Sequence, residues 1–326
     1  MKIKIFTLIA ATASIMFTGC EQNNNDQELP QITAKATIAN SNILNKTTTE
    51  SFPDGTLMNF VVLPEKAPGT SNTLKTSGNY AQTKFKYDDN LKVCTEVIPT
   101  DETAKAVYPN GVVNVDLYAF YPHRDILFQT TKEISKQEYT IKHDQSAAMT
   151  DDFMIATLKH KIPNTDAALL VFNRLASKVE VTVTGVIPQV TDLAKLLIKN
   201  VKPTIVYNPT VEFSETTHYA NSEAIGTAVD FTAKNETVGD VKPVLHHAII
   251  PAQTFGANKL ELAMYNAADE LTTTVRLPEE ITFKPGHKYT LKVEVIDYKN
   301  VTVSITAITP WEGAADASTD LGDIEE

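Results

Sequence analysis

Seven histidines, two adjacent aspartates, a His-Arg-Asp triplet and two cysteines are the residues of this sequence whose types could do chemistry. A metal site needs several such groups converging on one ion, most simply from one helix face or from paired loops. His123, His143, His160, His218, His246, His247 and His287 show no second ligand at helical spacing. The pair His246-His247 on a strand would send its two rings to opposite faces, so each reads as a strand histidine with a satisfied ring. Asp151-Asp152 could offer oxygens to Ca²⁺, but the further spaced ligands of a calcium loop do not follow, and the pair reads as a turn or strand cap. His123-Arg124-Asp125 has no nucleophile beside it and reads as a solvated loop. No Gly-rich phosphate loop, serine elbow or two-histidine zinc helix is present. The residues imply no cofactor and no metal, and nothing in them argues for an enzyme.

Cys20 is the thiol with a use. Lys2 and Lys4 precede an apolar run from Ile5 to Phe17, followed by Thr18-Gly19-Cys20. That run is too short for the roughly 20 residues that a helix needs to cross a hydrocarbon core. Residues 1–19 therefore read as a cleaved export signal. Small residues before a cysteine at this place resemble a bacterial lipobox, which implies that Cys20 is acylated, with palmitate among the chains, and opens the mature protein. Phe17 stands where that pattern usually has an aliphatic residue. The polar residues after Cys20 form a solvated tether, and Glu21, Asp26 and Glu28 lie where some surface-exported lipoproteins carry an acidic export signal. The remaining thiol, Cys94, has no partner for a disulfide and reads as a small apolar core residue.

These groups would be carried by strands. The chain has 326 residues, 42 % of them hydrophobic and 8 % aromatic, which fits two ordered domains. Its formal charge of −11, with Arg124, Arg174 and Arg276 as the only arginines, disfavours nucleic acid as a partner. Period-two runs of Val, Ile, Thr, Tyr and Phe predict strands over 59–63, 83–87, 91–98, 112–121, 138–142, 168–172 and 177–184. Further runs cover 204–207, 245–250, 259–265, 272–277, 288–298 and 301–308, the last two forming a hairpin with one buried face. Residues 191–199 suit a short helix or a strand. Residues 207–241 read as a long surface loop, Trp311 as a residue closing the bottom of a core, and a joint is expected between Leu158 and Leu169. The many short strands describe β-sandwiches.

Three blocks in order resemble the fimbrillin family, pilus subunits exported as lipoproteins by bacteria of the Bacteroides and Porphyromonas type. The first is Leu117-Tyr-Ala-Phe-Tyr-Pro with His143-Asp-Gln-Ser and Thr150-Asp-Asp-Phe-Met-Ile-Ala. The second is Leu169-Leu-Val-Phe-Asn-Arg-Leu-Ala-Ser-Lys-Val-Glu-Val. The third is Ile281-Thr-Phe-Lys-Pro-Gly-His-Lys-Tyr-Thr-Leu-Lys-Val-Glu-Val with Ile308-Thr-Pro-Trp-Glu-Gly. The resemblance implies two transthyretin-like β-sandwich domains in tandem, over 47–165 and 166–326, after a tether and removable leader strand over 20–46. It implies a precursor anchored by lipid in the outer membrane and displayed at the cell surface, in a fimbrium. An Arg- or Lys-specific protease would remove the leader, and other fimbrial subunits would be the partners, each donating a strand to the opened groove in support of adhesion. Gln31 to Asn45 is the leader candidate and Lys46-Thr47 the scissile bond, with Lys35 as its nearest rival and an ordinary exposed lysine as the alternative. The donor is expected from the C-terminal part, where Val301–Ile308 has the alternation, while the residues from Glu312 onward are acidic and suit a solvated extension. A different reading of the same features is a surface lipoprotein that stays anchored and captures glycan or protein without polymerising.

Overall fold

A computed structural model describes residues 32–39, 51–65, 83–97, 108, 114–124, 136–149, 151–162, 166–185, 193–211, 222–236, 245–297 and 300–311. Among them the chain is strand and connection, without helix. In chain order the strands are β1 (Ala34–Ile38), β2 (Leu57–Pro64), β3 (Thr83–Asp88), β4 (Val93–Glu96), β5 (Val115–Tyr121), β6 (Gln137–Thr140) and β7 (Met154–Lys161). They continue with β8 (Ala168–Arg174), β9 (Ala176–Thr184), β10 (Leu193–Val201), β11 (Thr204–Tyr207), β12 (Ser222–Ile225), β13 (Val229–Thr232) and β14 (Lys234–Glu236). The last are β15 (Leu245–Pro251), β16 (Thr254–Phe255), β17 (Glu261–Asn266), β18 (Leu271–Arg276), β19 (Ile281–Thr282), β20 (His287–Val295) and β21 (Val301–Pro310).

The first unit is a closed ring of hydrogen-bonded strands in the order β1-β4-β3-β2-β5-β7-β8. Its closure is thin at two seams. β1 meets β4 only at Ala34 and Cys94, and β7 meets β8 only at Met154/Arg174 and Ile155/Asn173. The ring is thus a sandwich whose edges touch, with the ribbon β8-β1 lying against the five strands from β4 to β7. In the second unit two sheets, β14-β15-β9-β20-β21 and β13-β10-β17-β18, share one apolar core. The alternation expected on β20 is present: Tyr289, Leu291, Val293 and Val295 are buried, and β21 returns beside them antiparallel.

The two units are stitched together. β6, between strands of the first unit in the chain, pairs with β11, which pairs with β12, in a three-stranded sheet of mixed origin. The buried Gln145 side chain donates to the carbonyl of Ile249 at 2.7 Å and accepts from its N–H at 2.8 Å, imitating a strand neighbour to β15. The larger core accordingly mixes Val61, Tyr118, Phe120, Tyr139 and Phe153 with residues of the second unit.

Two features differ from the sequence reading, and one that it left open between helix and strand is decided. The joint expected between Leu158 and Leu169 lies within one unit, because β7 and β8 both belong to the ring; the chain crosses at Leu175, between β8 and β9, beyond the 165/166 division. Residues 191–199 contribute a strand, β10. Its pairing slips at Leu193/Lys195 against β17 and at Ile198/Val201 against β13, and each bulge inserts a residue that stretches the buried spacing Leu193, Leu196, Ile198, Val201 into a helix-like pattern. The stretch 207–241 holds β12, β13 and β14. Each spans three or four residues with at most one buried side chain, too few for a period to register, and takes its conformation from β11, β10 and β15. Beyond the expected strands, β7, β16 and β19 are also present.

Candidate functional site

β1 sits in a slot. Its sequence Ile32-Thr-Ala-Lys-Ala-Thr-Ile38 alternates apolar and polar residues, and strand geometry sends the two sets to opposite faces. Ile32, Ala34, Ala36 and Ile38 are all within 3 % of complete burial, while Lys35 points outward. The two isoleucines together contribute on the order of 3–6 kcal/mol of apolar burial. Phe52, Tyr87, Tyr121 and Phe172 lie in the same core, with Phe52 packed on the other three rings at centroid distances of 5.0–5.9 Å. The small alanines at the middle of β1 let this aromatic layer fill the space a larger strand residue would take.

The backbone of β1 is held mainly by β8. It runs parallel to β8 over five residue pairs, from Ala34/Ala168 to Ile38/Phe172. Ala168 N–H donates to Thr33 O and Ala39 N–H to Phe172 O, both at 2.8 Å, closing the ladder at its ends. On its other side β1 meets β4 at the single pair Ala34/Cys94, which closes the ring, so along most of its length it is attached by packing and by β8.

The far end of β8 carries a clamp. Arg174 Nε donates to both carboxylate oxygens of Asp152, at 3.1 and 3.0 Å, and both side chains are almost fully buried. Its Nη1 donates to the Trp311 carbonyl at 2.9 Å, and the guanidinium lies over the indole ring at 4.6 Å. Trp311, immediately after β21, is itself buried and donates its N–H to Gly286 O at 2.8 Å. Gly286, with φ of 66°, turns the chain into β20 in the left-handed conformation that glycine adopts without strain. Trp311 does belong to a core, and the arginine it covers comes from the other unit.

Asp151 and Asp152 are neither a calcium loop nor a simple cap. Strand-like alternation sends them to different partners: Asp151 joins Arg124, the Tyr139 hydroxyl and Lys142 N–H, and Asp152 takes Arg174. Arg124, expected in a solvated loop, is half-buried, its Nη2 2.9 Å from Tyr139 Oη and its guanidinium over that ring. Nothing in the local sequence marks these pairings, since Asp151 and Arg124 are 27 positions apart. His246 and His247 are both buried on β15, bonded to Asn235 and Glu236 of β14 at 2.6 Å each. Burial and the neighbouring His247 hold His246 down at about 4, so its ring is neutral. Cys94 is buried and unpaired, and burial pushes its thiol up to about 12, which makes it inert. Among the described residues no cluster of His, Cys, Asp and Glu is arranged to hold a metal. Cys20, Lys46, Thr47 and Asp125 lie outside the described residues.

A model of the fimbrillin-like family matches residues 67–311. The chain belongs to the fimbrillin-like family. The fold is shared with solved structures at low identity. A Bacteroides ovatus ATCC 8483 protein assigned to cell adhesion is similar over 87 % of this chain and 99 % of its own, with TM-score 0.60 and 16 % identity. A Bacteroides uniformis ATCC 8492 protein assigned to cell adhesion covers 86 % of this chain and 98 % of its own, with TM-score 0.56 and 14 % identity. None of the curated proteins matches the chain. Membership makes this a structural protein of the fimbrial, adhesive type, one that associates with other fimbrial subunits at the cell surface, and not an enzyme.

Proposed function

We propose that the chain is a fimbrial subunit exported as a lipoprotein through Cys20 and assembled by strand exchange at the slot that β1 fills. The observation that carries the proposal is the way β1 is held: four buried apolar side chains, one extended backbone partner, and a single contact with β4. Cutting the chain after Lys46 frees β1 without severing any other strand. Its departure uncovers an apolar trench and the unpaired backbone edge of β8, two costs that a donated strand from another subunit removes together. The protease is of the Arg/Lys-specific type, and the precursor is anchored in the outer membrane by its lipid.

Lys46→Ala is expected to leave an acylated precursor that does not form fibres, with wild-type protein starting at Thr47. Mass spectrometry of the N-terminus from cells, together with electron microscopy of the surface, checks both. Fibres assembled by the variant would remove Lys46 from the mechanism.

One observation favours a second reading, the anchored binder. A surface groove of about 540 Å³ lies in the second unit, bordered by Lys202, Ser222, Gln253, Thr254, Thr282 and Lys284. Acylated Cys20 at the start of all cell-derived protein would favour that reading.

A further inference from the structure

The slot that β1 fills is narrow in the middle. The residues Ile32-Thr-Ala-Lys-Ala-Thr-Ile38 read the same in both directions, so their side chains set a pattern while the ladder with β8 sets the direction. Isoleucines anchor the two ends of the inward face, and alanines hold both central positions. Side chains paired across a parallel ladder point the same way, so Ala34 lies beside Ala168 and Ala36 beside Leu170, all four within 1 % of complete burial. On its other flank Ala34 is opposite the buried Cys94, whose Sγ is 3.7 Å from Met58 Sδ. The same core holds the stacked rings of Phe60 and Phe85, with centroids 3.9 Å apart, besides the rings around Phe52. Interiors are packed to nearly crystalline density, so a central side chain larger than alanine has to displace these neighbours.

We infer that the slot selects its donor by size: it takes a strand with alanine or glycine at both central inward positions and an aliphatic side chain at each end, and that strand comes from a different protein, not from a second copy of this chain. The inference rests on the strand-exchange reading above and names the partner. β21 has the alternation of a donor without this pattern. Its inward set Val301, Val303, Ile305, Ala307 puts Val303 and Ile305 at the centre in either direction, and a window two residues later keeps Ile305 there. Its other face, Thr302, Ser304, Thr306 and Ile308, would bury three hydroxyls in an apolar trench. β21 is also bound to β20 along its whole length, from Val301/Val295 to Pro310/His287. The stretch after Trp311 has Ala315 and Ala317 at the right spacing, but between Gly313 and Thr319, and so lacks both anchors. After Cys20, two aliphatic ends around two alanine or glycine centres occur at 32–38 alone. A chain cut after Lys46 has therefore lost its one matching strand and has none to pass to its own kind.

The test uses the mature chain with a specific protease site placed between β1 and β2, cut so that the leader leaves, and labelled synthetic peptides whose binding is read by fluorescence anisotropy. The leader peptide, residues 31–40, is expected to rebind. Ala36→Leu in that peptide is expected to weaken binding roughly 5- to 150-fold, the range that overpacking gives. Ile38→Ala is expected to weaken it about tenfold or more through lost burial. A peptide of residues 300–309 is expected to bind no better than the Ala36→Leu peptide, and the cut chain by itself to stay monomeric in size-exclusion chromatography. If the cut leader does not leave, the comparison is made in the uncut chain. There Ala34→Val with Ala36→Ile, which puts the β21 centre on β1, is expected to speed hydrogen exchange over β1 about fivefold or more. Lys35→Ser, on the outward face, is expected to leave that exchange within about twofold. Tight binding by the 300–309 or Ala36→Leu peptide, fibres from the cut chain alone, or unmoved exchange in the doubly substituted chain overturns the selection and leaves strand exchange standing. A slot that no peptide re-enters, the leader peptide included, defeats both.

Discussion

Ala36 shows how much one small side chain decides here. It is 1 % exposed in the middle of β1, above a core already filled with phenylalanine and tyrosine rings. Overfilling such a site costs typically 1–3 kcal/mol. Ala36→Leu is thus expected to lower stability by about that amount, and to do so chiefly by loosening β1; urea denaturation alongside protease sensitivity of the leader measures it. Equal stability in the variant would mean that the slot has spare room. The same scale explains why Asp151 and Asp152 gave no usable signal: adjacent carboxylates look like one site, yet each is committed to a different arginine, the half-buried Arg124 or the buried Arg174. Burying either cation requires its partner, which is a statement about distant residues.

Among the elements, β14 depends most on ionisation. It is three residues long and joins β15 through His246 with Asn235 and His247 with Glu236. Because burial lowers His246 from 6.5 to about 4, the unfolded chain takes up its proton first. Stability from this group is complete above about pH 6.5 and is lost as pH falls toward 4, on the order of 3 kcal/mol in all. Glu180 on β9, held at about 2 chiefly by the His247 ring and then by Lys288, adds a loss in the same direction below about pH 4.5. Urea unfolding at pH 7.5 and 5 is expected to show the first loss, and His246→Asn to flatten that interval. A slope unchanged in the variant would place the titration elsewhere. β10 gives the lesson for pattern reading: its bulges turn a strand into something with helical spacing, and only the pairing with β13 and β17 resolves it.

For the whole molecule, the mixed sheet β6-β11-β12, the Gln145 bridge and the Arg174 clamp make two topological units into one cooperative body. Calorimetry of the mature chain is expected to give one transition whose calorimetric and van't Hoff enthalpies agree, as for a single two-state domain. Two resolved transitions would show that the larger core divides at Leu175. The formal charge of −11 disfavours recognition of phosphate backbones.

Composition and period two were enough to make the chain all-β, to locate most of its stronger strands, and to give β20 and β21 their buried face, while the leader over 31–45 was marked only by the family resemblance. Local pattern carries this because side chains of an isolated strand already alternate, whatever it later pairs with. Tertiary structure alone decided that β1 lies parallel to β8, that the units join after Arg174, and that Trp311 rests on an arginine from the other unit. Those outcomes depend on which distant segments can bury each other's polar groups, and no window of neighbouring residues contains that information.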